Sequence, residues 1–229
     1  MCKTKKVIAL LMCAALLVLG SIAGTMAYLT SQTEEVKNTF TVGQVKITLD
    51  EAKVNTSGQL LDTDDGIHGA GGSGTLADRV TANAYHLIPG KTYVKDPTVH
   101  FADGSAASWL FVEVKNDISA LEPASGSNKT IAEQIAGNGW TKLDSAEPVT
   151  ADATVYYRTA DPNTSGAAID YKVFGTFTVD SSMTNADLSA ITSSDYVTIT
   201  GYAIQESDSF QFSDGDTAAL SAWDAVKAP

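Results

Sequence analysis

Beyond Cys13 the chain has no cysteine, so neither a disulfide nor thiol chemistry is open to residues 14–229. Histidine is scarce as well. His68, His86 and His100 are the three present, and none lies within four residues of another. That spacing excludes the helical zinc-protease pattern of two histidines at i, i+4 with a glutamate between them. No G-x-S-x-G elbow exists to mark a nucleophilic serine. Positive charge is short: 15 lysines and arginines stand against 27 acids, net −12. A chain this acidic repels nucleic acid and anionic membranes, so neither is an expected partner.

One apolar run is present, and it is confined to the start. In MCKTKKVIALLMCAALLVLGSIAGTMA, Lys3, Lys5 and Lys6 precede the stretch Val7–Leu19, and Thr25-Met26-Ala27 supplies small residues at −3 and −1 of a cut after Ala27. The run to Gly20 is shorter than the ~20 residues a spanning helix needs. Residues 1–27 therefore read as a helical signal peptide cut between Ala27 and Tyr28, with the membrane touched only through the uncleaved leader. Both cysteines leave with it. The leader holds three of the fifteen basic residues and no acid, so the 202 residues left carry twelve against 27, net −15. A chain of that length can bury one substantial core.

Past the leader the chain is rich in short Thr-, Val- and Tyr-bearing runs separated by Gly, Asn, Asp and Ser, the pattern of an all-β sandwich or barrel. In NTFTVGQVKITLDE the apolar parity changes at Gly43-Gln44, which predicts a bulge or kink. Residues 51–80 are rich in Gly and Asp and read as a surface loop. Pro89-Gly90 centres a turn that would set His86 opposite Tyr93 and His100 opposite position 79. Trp109–Lys115 has apolar residues on both parities and predicts a central strand. Further strands are expected at 153–159, 170–180 and 195–205. In the second of these Tyr171, Val173, Phe177 and Val179 share a face, with Gly175 at its centre. Thr130 and Glu133 form a capping box for a short helix, and Asp216 caps a last one that lines Leu220, Trp223 and Val226 on one side. One domain over 38–229 is the economical count, after a flexible segment at 28–37.

Three stretches carry a resemblance. They are the junction from Ala27-Tyr28-Leu29-Thr30 to Asn38-Thr39-Phe40-Thr41-Val42-Gly43, the block Ile88-Pro89-Gly90-Lys91 with Lys95-Asp96-Pro97 and Phe111-Val112-Glu113-Val114-Lys115, and the tail Ala203-Ile204-Gln205 with Ala222-Trp223. Together they cover roughly half the chain and resemble the exported TasA/camelysin family of Gram-positive bacteria. The resemblance implies a jelly-roll-like β-sandwich with two or three short helices and processing by a SipW-type signal peptidase. It also implies secretion to the extracellular space or cell surface, and assembly into biofilm-matrix fibres with self or sister subunits. By that analogy Tyr28, Leu29, Thr30, Ser31, Gln32 and Thr33 form a donor strand that completes a sheet of the next subunit. Head-to-tail addition without closure makes a filament.

Other classes are weighed from the residues. Camelysin-like proteins are also described as metal-dependent peptidases, which here would need a dispersed three-histidine site. Calcium has a candidate in Asp62-Thr63-Asp64-Asp65-Gly66, which begins like an EF-hand loop. Its third Asp comes one residue early, however, and Ser73 stands where the twelfth-position Glu belongs. Asp208, Asp214 and Asp216 make a second acidic group. Trp109, Trp140, Trp223 and the Tyr156-Tyr157 pair would serve a monomeric glycan- or surface-binding module if exposed, although aromatics at such spacings usually belong to a core. Ala228-Pro229 carries no LPxTG-like sorting motif, so covalent wall attachment by that route is not expected. The expectation is a non-catalytic surface or matrix subunit that requires no cofactor.

Overall fold

A computed structural model describes residues 44–69, 74–124, 129–192 and 197–227, all within one compact unit spanning Gly43–Pro229. The leader, the cut at Ala27/Tyr28, the segment Tyr28–Thr33 and the predicted kink at Gly43 lie outside the described residues.

The described residues form nine strands, all in antiparallel ladders, and three α-helices. The strands are β1 (Ile47–Asp50), β2 (Thr92–Val94), β3 (Thr98–Phe101), β4 (Ser108–Asn116), β5 (Thr141–Lys142), β6 (Thr154–Ala160), β7 (Ile169–Lys172), β8 (Thr176–Thr178) and β9 (Val197–Gln205). The helices are α1 (Ile131–Gly137), α2 (Asn185–Ser189) and α3 (Gly215–Lys227). One sheet has the order β1-β3-β7, a second β5-β6-β4-β9, and a two-stranded ribbon joins β2 to β8. The fold is thus all-β with short helices.

β4 organises the layers. Leu110, Val112 and Val114 face the core shared with Val99 and Phe101 of the three-stranded sheet, while Trp109 and Phe111 face a second core closed by α3. Both parities are apolar because both faces are covered, and each fully buried side chain of this size contributes about 1.5–3 kcal/mol. Across the first core, a Cβ on Gly201 of β9 would sit 3.4 Å from Ile47 Cδ1 and 3.9 Å from Val99 Cγ2, ordinary packing distances that show the two sheets in close contact there. On the other face α3 presents Ala218, Ala219 and Ala222 beside Trp223, and the small residues let the helix approach the sheet closely. The buried stripe is therefore largely alanine, with Leu220 and Val226 only partly covered. Asp216 lies in the first turn of α3 rather than at a cap, and its carboxylate accepts from the Tyr157 hydroxyl.

The helix predicted from the capping box is α1. Thr130 Oγ1 accepts from Glu133 N and Glu133 Oε2 accepts from Thr130 N. Three expectations are corrected by tertiary contacts. The single strand expected over 170–180 is two, because α1 interrupts it. Gln134 Oε1 accepts from Gly175 N (3.2 Å) and Thr176 N (3.1 Å), Gln134 Nε2 donates to Thr176 O (2.8 Å), and Asn138 Nδ2 donates to Val173 O (3.1 Å). These amides take the backbone groups that a sheet neighbour would otherwise satisfy. The Pro89-Gly90 turn forms, with Lys91 N donating to Ile88 O (3.2 Å) and Gly90 at φ +75°, but it does not close a hairpin. β2 pairs with β8, and His86 meets Tyr93 only through the Tyr93 hydroxyl on its carbonyl (2.7 Å). The excursion at 51–80 is more than a surface loop. Bridges link Glu51 to Val80, Val54 to Leu60, Leu61 to Ile67 and Asp62 to Leu76, and Glu51, Ala52, Val54, Leu61 and Asp62 are buried. Its tightest point is Gly58, at φ +71°, where a Cβ would fall 2.6 Å from Tyr93 Cδ1. Only glycine fits both that backbone and that approach.

Candidate assembly edge

β9 is nine residues long and runs beside β4 on one side. Glu206 N donates to the directly opposite Ala107 O (2.8 Å), which fixes the phase of the ladder. Residues of even number in β9 therefore turn their N–H and C=O toward β4, and Val197, Ile199, Gly201, Ala203 and Gln205 turn theirs outward. Among the described residues no strand pairs along that outer side. Apolar side chains flank the row on both faces: Ile199 and Ala203 toward the inter-sheet core, Tyr202 and Ile204 toward α3. An edge of this length with apolar flanks is a template for a further strand.

On the β6 side a cation joins the two sheets. Arg158 of β6 sets its guanidinium 4.0 Å from the centre of the Tyr171 ring on β7 and 5.5 Å from that of Trp140, which ties the two sheets together there. Burial holds its pKa below the usual arginine range.

The histidines do not converge. His68 Nδ1 lies 2.5 Å from Oδ1 of the fully buried Asp62, and His86 is exposed. His100 sits on the outer face of the three-stranded sheet, with Nδ1 2.6 Å from Asp170 Oδ1 and Nε2 2.8 Å from Asp50 Oδ1. With both nitrogens on carboxylates the ring donates twice, as imidazolium. Burial pulls its pKa down, the hydrogen bonds to Asp50 and Asp170 more than offset this, and the net direction is up. Burial likewise raises the pKa of Asp50, but Arg79 and His100 outweigh it and hold that carboxyl below its ordinary value. Arg79 binds Asp50 through Nε and reaches Asp96 Oδ2 (3.3 Å); it does not lie opposite His100, whose strand partners are Thr48 and Asp170, and the two cations share only Asp50.

The calcium candidates part company. Asp62 accepts from His68 and Gly74 N, Asp64 Oδ1 accepts from Gly66 N, and Asp65 pairs with Lys53 Nζ (2.6 Å). Among the described residues no group of three His, Cys, Asp or Glu side chains has the geometry to hold a metal ion. Trp109, Trp140 and Trp223 are all buried, and their indole N–H groups donate to Phe210 O, Lys172 O and Glu147 O at 2.9 Å each. Tyr156 is buried, and burial together with Asp216 pushes the Tyr157 hydroxyl up to about 12. Among the described residues no helix is long and apolar enough to cross a membrane.

Two buried acids carry contacts that no local pattern announces. Glu113, at the centre of β4, accepts from Val149 N, Thr150 N (3.2 Å), Thr150 Oγ1 (3.1 Å) and the Tyr202 hydroxyl (3.1 Å). Glu51 accepts from Lys95 Nζ through Oε2 (2.6 Å) and from Asn83 Nδ2 through Oε1 (2.9 Å). Its partners lie 32 and 44 positions away, so only an alignment of the 51–80 excursion with β2 would have joined them.

No family model matches the chain, and neither a curated protein nor a solved structure does.

Proposed function

We propose that this is an exported, non-catalytic structural subunit of a bacterial surface or biofilm matrix, a jelly-roll-like sandwich of the TasA/camelysin kind made competent by cleavage after Ala27. The reading rests on β9, whose outward backbone row has no described strand beside it while both of its flanks are apolar. The freed segment Tyr28–Thr33 is the donor: its main chain hydrogen-bonds along β9 of the next subunit, and alternate side chains settle on either side. Its polarity suits a strand that gains order only on addition. The net charge of −15 after cleavage keeps free subunits apart and directs association to the edge.

Electron microscopy and light scattering of protein beginning at Tyr28, beside protein lacking residues 28–37, tests this. Filaments or higher oligomers are expected from the first only, and monomers from both would remove the assembly reading. Chelator-sensitive casein cleavage by the same clean material would replace it with a metal-dependent peptidase.

A further inference from the structure

Glu51 gathers Lys95 and Asn83 into one hydrogen-bonded cluster between the 51–80 excursion and the end of β2. Glu51 is 4% exposed and the Lys95 side chain 11%. The amine of Lys95 and the carboxamide nitrogen of Asn83 occupy the two oxygens of one carboxylate. Asn83 is held from both ends: Oδ1 accepts from Val54 N (3.0 Å), and Nδ2 also donates to Ala52 O (2.9 Å). A backbone N–H on Oδ1 is placed to stabilise the negative charge that develops there when a nucleophile adds to Cγ. Above the site the Tyr85 hydroxyl donates to Val94 O (3.0 Å). Its ring stands edge-on to Tyr93 and Phe177, with centroids 5.9 and 5.1 Å away.

We propose that Lys95 and Asn83 are joined by an intramolecular amide bond, formed in the folded protein with Glu51 as the proton carrier. Glu51 Oε2 takes a proton from the Lys95 ammonium. The neutral Nζ attacks Asn83 Cγ, and Val54 N–H holds the oxyanion. The Nζ–Cγ bond forms, a proton passes by way of Glu51 to Nδ2, and the Cγ–Nδ2 bond breaks. The products are a secondary amide and ammonium, with Glu51 again ionised. No oxidant or co-reactant enters. The bond ties the irregular segment 81–88 to the end of β2, and it stands independently of any assembly along β9.

Intact mass spectrometry of the denatured full-length protein decides the matter. The expected mass is lower than that of the sequence by one ammonia, and a protease digest contains a branched peptide joining residues 83 and 95. Lys95→Arg and Asn83→Ala restore the full mass, and Glu51→Gln leaves the bond unformed. Wild-type protein at full mass overturns the proposal, whatever the variants do. A deficit that persists in Lys95→Arg overturns it too, by assigning the lost ammonia to a cyclised residue elsewhere.

Discussion

Asp50 serves two cations at once, Arg79 from the excursion and His100 from the neighbouring strand, and this makes the outer face of the three-stranded sheet sensitive to pH. The raised pKa of His100 means that its stabilising contribution is complete below the ordinary imidazole value of 6.5 and is lost as pH rises through the raised value. Asp50 has a lowered pKa, so its contribution is present above 3.8 and is lost as pH falls through the lowered value. The pairing is strongest between those limits. His100→Gln is expected to cost about 1 kcal/mol at about pH 6, after allowance for the exposure of Asp170, and much less at about pH 9. Urea titrations at the two pH values check it, and an equal loss at both would show that the ring acts by packing alone. None of this network was legible in the sequence. The partners of His100, Asp50 and Asp170, stand 50 and 70 positions away, so no local pattern joins them.

Elements were legible where the signal is local. The capping box of α1 spans three residues, and the doubly apolar run of β4 announces burial on both faces; both read directly from adjacent positions. The interruption between β7 and β8 did not, since what breaks the strand is Gln134, 41 and 42 positions away, reaching in from α1. Glu113 makes the same point inside β4. A carboxylate in an apolar strand has meaning only once Val149, Thr150 and Tyr202 have been brought to it. Glu113→Gln keeps the volume but replaces one accepting oxygen with a donor. Val149 N and Thr150 N already share Oε1, so the amide nitrogen must meet either these two N–H groups or the Thr150 and Tyr202 hydroxyls that now donate to Oε2. The expected loss is about 2 kcal/mol, read as a lowered urea midpoint with unchanged slope. Undiminished stability would mean that the turn finds water instead.

At the scale of the molecule, the two sheets are tied together at Arg158, whereas along the nine-residue β9 the described residues place no strand on the outer side. Ala203→Pro exploits the difference. The N–H of Ala203 points away from β4, so proline there removes no ladder bond while spoiling the outward row. The variant is expected to fold as a monomer, with an unchanged circular dichroism spectrum, and to form no filaments. Filaments at the wild-type rate would move the assembly edge elsewhere. The all-β class was readable from alternation and turn residues. The division into sheets was not, because pairing β2 with β8 and β1 with β3 is a matter of which distant runs find one another.

β4 has neighbours on all four sides: β6 and β9 along its ladders, the second sheet against one face and α3 against the other. Its amides consequently have no way to reach deuterium short of dismantling every layer together. Leu110, Val112 and Val114 should be the last to exchange, at a rate that reports global unfolding, and that single strand becomes the slow clock of the whole protein.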